Sequence, residues 1–277
     1  MDKQWEQEAI RQGRAFMMSV CGSPEEQSYE SDQDKKLPQP PLCKAPMTDS
    51  AASLPRDFDR LEMEGDVFHM LMSRQSARSY TQEPMTLREL SFLLYMSQGI
   101  KEISGNGYAT RRTVPCGGAR HPFETYLLVQ NVEGLAAGTY HYLPLTHSLE
   151  RLDAVPREEI PSLMVRTMFG QGWTSRSNVI FYWSFTGYRA EWRYGPFAHK
   201  INLIDMGHVG ENLYLACAAL GLGACGVGYY NQKLCDEIFR LDGENEFTVY
   251  TQTVGRVKPK DGEKPDYMRL IKELDLS

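Results

Sequence analysis

The sequence predicts an α+β fold, on three observations. It is 277 residues long with 42% hydrophobic content, enough for one sizeable domain with a buried core. It alternates runs rich in aromatic and branched residues with segments whose apolar residues recur three and four apart. It also carries helix-capping and turn residues at the joins.

Residues 1–20 suit a helix, and residues 23–57 are polar and proline-rich, with Leu37-Pro38-Gln39-Pro40-Pro41 at their centre. The expected division is therefore a helix and Pro-rich arm over 1–60 and a domain over 61–277. Such an arm is either loose or wrapped around the body or a partner subunit. Thr86-Leu87-Arg88-Glu89 is a capping box ahead of Leu90, Leu93, Leu94 and Ser97, which predicts a helix over 87–98. Strands are predicted over 123–130, 139–143 and 178–186, with Gly138 turning the chain into the second. Over 201–222, Met206, Val209, Leu213, Ala216 and Leu220 line one helical face and the polar residues fall mainly on the other. Gly221 and Gly223 end that helix. A short strand over 224–228, a helix from Asn231 to about Arg240 and a strand over 247–254 complete the body, without an internal repeat.

The net charge is −6 and the basic residues are scattered, which argues against a nucleic-acid partner. Residues 1–8 lack the basic start and apolar run of a signal peptide, so a cytoplasmic location is expected. The apolar 201–222 segment contains Asn202, Asp205, His208, Glu211 and Asn212, which would be costly in a bilayer, so no membrane association is expected. Cysteines 21, 43, 116, 217, 225 and 235 form no Cys-x-x-Cys pair and no histidine stands at zinc-ligand spacing; plain thiols and no metal are expected.

Four segments can carry chemistry. Ser73-Arg74-Gln75-Ser76-Ala77-Arg78 combines guanidinium groups with hydroxyls, which suits phosphate oxygens, though a solvated helix end with surface arginines has the same composition. Pro115-Cys116-Gly117-Gly118-Ala119-Arg120-His121-Pro122 lets backbone donors approach a flat ligand beside a cation, or merely connects two elements. Gly221-Leu222-Gly223-Ala224-Cys225-Gly226-Val227-Gly228 follows a helix instead of opening one, which excludes a dinucleotide or Walker loop and leaves either close ligand approach or tight packing. Val254-Gly255-Arg256 ends the last strand with one more arginine.

Taken in order, these segments resemble the nitroreductase superfamily, and within it the SagB-type dehydrogenases that include the azoline oxidases of thiazole and oxazole peptide biosynthesis. The likeness runs over about 67–257. It rests on Ser73 to Tyr80, Pro115 to Pro122, Arg193-Tyr194-Gly195, Asp205 to Leu213, Gly221 to Gly228 and Val254 to Arg256, and extends to Ser31-Asp32-Gln33 and the Pro-rich stretch of the arm. The resemblance implies a homodimeric α/β sandwich, its central, mostly antiparallel sheet flanked by helices, with FMN at the subunit interface. Carried over by position, Arg74, Gln75, Ser76 and Arg256 would hold the phosphate and ribityl chain. Arg78 with Pro115, Cys116, Gly117, Gly118 and Arg120 would face the isoalloxazine, and the backbone of Gly226, Val227, Gly228 and Tyr229 would run near its N5 edge. A cation near the ring favours the negative charge of the reduced flavin.

Three positions depart from the branch. Gln75 replaces an arginine but keeps a donor. Cys116 replaces a serine with a poorer hydrogen-bond donor. Arg193 replaces the lysine of a Lys-Tyr pair linked with proton removal, and arginine cannot act as that base. With Arg193 and Tyr194 as the candidate catalytic pair, the expected activity is FMN-dependent, with NAD(P)H as a possible donor and nitroaromatics or quinones as acceptors. The alternatives are an azoline dehydrogenase acting on a peptide, with Tyr194 as base, and a flavin-binding protein without turnover. Trp5, Trp173 and Trp183 are expected to be core residues, and Trp192, beside Arg193, is a candidate for substrate stacking.

Overall fold

The structure, a computed structural model, describes residues 3–18, 24–258 and 265–274. Its centre is a seven-stranded sheet. The strand Phe123–Val129 (β4) is buried at every position and lies between Gly138–Leu143 (β5) and Val179–Thr186 (β7). Outward from β5 come Ser148–Ala154 (β6) and the short Ala52–Ser53 (β1); outward from β7 come Glu246–Arg256 (β9) and Leu222–Val227 (β8). Every neighbouring pair is antiparallel. A separate hairpin joins Ile100–Ser104 (β2) to Ala109–Arg112 (β3).

Because side chains alternate along a strand, β7 serves two cores at once. Phe181 and Trp183 pack with the helices Leu87–Gln98 (α4) and Ala198–Ala219 (α7), while Ile180 and Tyr182 pack with Ile160–Thr167 (α5) and Gln232–Ile238 (α8). Helices Lys3–Met17 (α1), Pro24–Gln27 (α2), Val67–Ser73 (α3), Gly187–Tyr194 (α6) and Tyr267–Glu273 (α9) complete the described α-helices. No described helix is long and apolar enough to cross a membrane.

The capping signals act as expected. Glu89 N donates to Thr86 Oγ1 at 3.2 Å and Thr86 N donates to Glu89 Oε2 at 2.8 Å, while Asn231 caps α8 by accepting from Leu234 N at 3.2 Å. Three expectations need correction. The strand after α7 begins at Leu222 instead of 224, because Gly221 alone reverses the chain with φ of +65°. Nor does α7 divide into an apolar and a polar side: Asn202 and Asp205 are buried in the same stripe as Met206, Val209, Leu213 and Ala216, whereas Leu203 and Ile204 are 53% and 57% exposed. The buried Asp205 accepts Gly117 N, and Asn212 donates to the carbonyls of Met96 and Thr113, so these polar groups serve neighbouring loops. Trp5, expected in a core, is 63% exposed on α1.

The arm is wrapped around its own body. Gln33 N donates to Trp192 O, Trp192 Nε1 donates to Leu37 O, and β1 adds an edge strand to β6. Farther on, Lys44 N donates to Glu124 at 2.8 Å, and Met47 N and Thr48 N donate to Glu150 at 2.8 and 2.6 Å. These acids belong to a buried charged network. Arg189 pairs with Glu124 at 2.6 Å, and His141 stands between Glu150, at 2.7 Å, and Glu124, at 3.4 Å. Burial opposes the charge on Glu124, but Arg189 and His141 outweigh it and hold the carboxyl well below its ordinary range. Burial likewise opposes the charge on His141, yet the two carboxylates raise its pKa. The cysteines in the described residues are free thiols, and Cys21 lies outside those residues.

His147 is the opposite case. Ser91 donates to Pro55 O at 2.5 Å, so it accepts from His147 Nε2 at 2.7 Å, and the Tyr142 hydroxyl then donates to Nδ1 at 2.8 Å. The ring is held neutral, and burial, with Arg56 nearby, lowers its pKa to about 4; burial and Arg112 lower that of His121 to about 3. Below the ordinary value of 6.5 the unfolded chain therefore binds more protons at these two sites, and stability is lost as the pH falls. His141, with its raised pKa, adds no slope below that value. The midpoint of urea unfolding should accordingly decrease steadily between pH 6.5 and 4.5. A constant midpoint would contradict the assignment of both rings as neutral.

Candidate functional site

Two groups of the singled-out residues form on either side of α7. The first is built by strand β8 and the segment after α3. Ala77 N donates to Ala224 O at 2.8 Å, and Ser76 bridges to Ala224 in parallel, which brings Arg74, Gln75, Ser76 and Arg78 beside the glycine-rich strand. Tyr214 of α7 ties these parts together. Its hydroxyl accepts from Gly226 N at 2.6 Å and lies 3.1 Å from Ser76 Oγ, and the Arg74 guanidinium sits 5.3 Å from its ring centre. Gly226 has to be glycine here, because a Cβ would stand 1.9 Å from the Tyr250 hydroxyl. Burial and Tyr214 push that phenol up to about 12, so it stays neutral. Beside this cluster a cavity of about 420 Å³ is lined by residues that include Arg74, Gln75, Tyr214, Gly221, Gly223 and Lys258.

The remaining members spread outward. Arg78 lies over the Trp173 ring at 5.9 Å, Gly228 borders open space, and Tyr229 is 69% exposed with its ring against Phe169. Val227 is buried, its carbonyl accepting from Thr251. Arg256 is turned to protein partners instead, with Nη2 on Glu89 at 2.8 Å and Nε on Pro84 O at 3.2 Å.

The second group surrounds the Pro115 to Arg120 loop. Gly118 adopts φ of +59°, and a Cβ there would lie 2.5 Å from the Tyr194 hydroxyl and 2.7 Å from Arg193 Nε, so the glycine is what lets the pair approach the loop. Gly117 N donates to Asp205 at 2.9 Å, which pins the loop to α7. Cys116 Sγ accepts His121 N at 3.1 Å, and burial together with Asp205 pushes the thiol up to about 12, so it offers no thiolate. Arg120 is 2% exposed. Its Nε donates to Gly118 O at 3.2 Å, its Nη2 donates to Tyr108 O at 2.5 Å, and its charge lies between the Tyr108 and Trp192 rings at 4.6 and 5.4 Å. It braces the loop from within. Trp192 is 5% exposed, which corrects the expectation that it offers a stacking surface: its indole is walled in by the arm. Arg193 Nη1 donates to the Tyr108 hydroxyl at 2.6 Å, and Gln33 Nε2, from the arm, donates to the same oxygen at 3.1 Å.

Helical geometry relates the two groups. Asp205 and Tyr214 stand nine residues apart on α7, about 13 Å along its axis and about half a turn around it. The groups therefore sit at the two borders of the buried stripe, with the exposed face of Leu203, Ile204, His208 and Glu211 between them.

Tyr214, Tyr108, Asp205 and Gln33 were not assigned roles from sequence. Asn106-Gly107 does signal the β2–β3 hairpin that presents Tyr108, and Asp205 opens the helix motif. The pairing of Tyr108 with Arg193, 85 residues later, has no local signal.

Known proteins resemble this chain in sequence and fold. A family model described as the nitroreductase family matches residues 71–256. A protein of Methanocaldococcus jannaschii described as a nitroreductase is 30% identical over 201 residues, 72% of this chain and 93% of that one. The trifolitoxin-processing protein TfxB of Rhizobium leguminosarum bv. trifolii is 29% identical over 148 residues, 50% of this chain and 38% of that protein. A crystal structure from Ralstonia eutropha, also described as a nitroreductase, superposes with a TM-score of 0.62 at 27% identity, covering 81% of this chain and 96% of the other.

Proposed function

The chain belongs to the nitroreductase family, and from that premise we propose that it is an FMN-dependent oxidoreductase whose flavin sites are completed by a second copy of the chain. The observation that carries this reading is the position of the two residue groups at opposite borders of α7, with exposed Leu203 and Ile204 between them. One chain does not bring both groups to one side of its helix. A second copy related by a two-fold axis can set the loop group of one protomer opposite the arginine group of the other.

The residues present suit FMN. Arg74 and Lys258 bring two cations to a cavity of about 420 Å³ whose wall also includes the acid Glu64, and Gln75 adds a donor; the excess of positive charge fits a phosphate monoester. Ser76 and Tyr214 would hold the ribityl chain beyond it. Gly228, which borders open space, and the exposed Tyr229 leave room beside them for the ring edge, and the partner's loop from Pro115 to Arg120 would close over the ring. Bound there, FMN would supply two-electron transfer in the form of hydride.

An arginine at position 193 cannot serve as a general base, and it donates to the Tyr108 hydroxyl. This favours reduction of an acceptor such as a nitroaromatic or quinone, with NAD(P)H as donor, over proton removal from an azoline. Similarity to the trifolitoxin-processing protein supports a second reading, oxidation of a heterocycle on a peptide, with Tyr194 as the base. Anaerobic spectroscopy separates these. Protein supplied with FMN and passed through a desalting column should keep the yellow flavin bands, and NADH or NADPH should bleach them. Loss of the bands would overturn the cofactor assignment. Retained bands that neither nucleotide bleaches would overturn the reductase reading in favour of the peptide one.

A further inference from the structure

We infer that the cluster of Arg193, Tyr108 and Tyr194 is a receptor for a carboxylate, so that the substrate of this enzyme carries one; the inference deepens the reductase reading by naming its substrate class. Hydrogen-bond accounting leads to it. The Tyr108 oxygen accepts from both Arg193 Nη1 and Gln33 Nε2, so its single proton is left to donate to a third group. The Tyr194 hydroxyl, packed against Gly118, has no hydrogen-bond partner among the described residues. Arg193 itself is half-buried and uses one N–H on Tyr108. Arg193, Tyr108 and Tyr194 thus each keep a proton free to donate, and beside them Gln33 Oε1 is a buried acceptor without a partner among the described residues.

The cluster itself carries positive charge. Arg120, buried behind the loop, bonds only to the carbonyls of Gly118 and Tyr108. No carboxylate lies within ion-pair distance of Arg193 or Arg120 among the described residues. The two nearby acids are engaged elsewhere: Asp34 accepts Ser31 N and Oγ at 3.0 and 2.6 Å, and Asp205 accepts Gly117 N. Asp34 is near enough for the Arg193 charge to help lower its pKa, but two guanidinium groups in a partly water-excluded site, without an ion pair at contact distance among the described residues, favour an anionic ligand. A carboxylate is the planar anion that a guanidinium fork grips with two bonds. Gln33 acts as a positioning residue, since its amide holds the Tyr108 oxygen in place from the arm.

The test uses protein supplied with FMN, its flavin content read first from absorbance, and two probes of equal shape, benzoate and benzamide. Calorimetric titration should find benzoate bound at least about tenfold more tightly. Arg193→Gln should abolish that preference, Arg193→Lys should keep part of it, and Tyr108→Phe should narrow it several-fold. The KM ratio of 4-nitrobenzamide to 4-nitrobenzoate should follow the same order. Equal affinity for the two probes in the unaltered protein would overturn the inference, as would a preference that survives in Arg193→Gln. Circular dichroism establishes that each variant is folded; if Arg193→Gln is not, unchanged preference in both Arg193→Lys and Tyr108→Phe would be the contrary result. Should the protein hold no flavin, the flavin reading fails on absorbance alone, while the benzoate titration still decides the carboxylate site.

Discussion

Replacing Glu124 with alanine should destabilise the folded chain by about 3–5 kcal/mol, the cost of removing one partner from a buried ion pair. Glu124 is 1% exposed, and it faces Arg189 at 2.6 Å, His141 at 3.4 Å and the backbone N–H of Lys44. The substitution leaves a guanidinium buried without its anion and releases one anchor of the arm. For a chain of this size the loss corresponds to a fall of about 10 °C in Tm, measurable by differential scanning calorimetry. Glu124→Gln should fall between the two, because an amide still accepts from Arg189 and Lys44 N. A change under about 1 kcal/mol in Glu124→Ala would show that water fills the site and that the arm does not depend on it.

The second large effect concerns the cofactor. Arg74→Ala should weaken FMN binding about tenfold to a hundredfold, as expected when one charge-assisted contact to phosphate, worth about 1.5–3 kcal/mol, is lost. Arg74 lies over Tyr214 on the wall of the cavity that also includes Lys258, so its removal takes charge from the phosphate end and leaves the rest of the wall in place. Riboflavin, which has no phosphate, should bind the variant and the parent within about twofold of each other. Quenching of flavin fluorescence measures both affinities. An equal loss for FMN and riboflavin would place Arg74 at the ring instead of the phosphate.

Legibility in the sequence followed the range of the interactions. The α4 helix was readable because its stop and start signals are local: Thr86 and Glu89 cap each other within one turn. Strands β4, β5, β7 and β9 were readable because their apolar and aromatic runs are long. Strand β6, which carries Glu150 and Arg151 among its seven residues, was not recognised, since its polarity is explained only by the arm and His141 lying across it. The face assignment of α7 failed for a related reason. Asp205 and Asn202 count as polar in any periodicity, yet Asp205 is buried against a loop contributed by Gly117, and nothing near it in sequence announces that contact.

The candidate site divides in the same way. Glycines 118 and 226 were legible as places of close approach, and each proves to exclude a Cβ that would strike Tyr194 or Tyr250. Arg120 was legible as a cation near a flat ligand, but its direction was not: it turns inward to carbonyls that only the folded loop and hairpin supply. Arg256 likewise meets Glu89, a residue already read as half of a capping box. The contribution of the arm was least visible. Gln33 reaches Tyr108 because Trp192 accepts Gln33 N at its carbonyl and donates its indole Nε1 to Leu37 O, which holds the arm in place.

The central claim is that each flavin site combines the arginine group of one protomer with the loop group of its partner, and mixed dimers test it most directly. Arg74→Ala damages the first group, and Gly118→Val the second, by pressing a side chain onto Tyr194. Dimers carrying one chain of each kind, isolated through two different affinity tags and titrated with FMN, should contain one undamaged site and one doubly damaged site. The expected result is one FMN per mixed dimer, bound with the affinity of the unaltered protein, although both parent variants bind weakly. Mixed dimers that bind FMN no better than their parents would contradict a site shared between two copies.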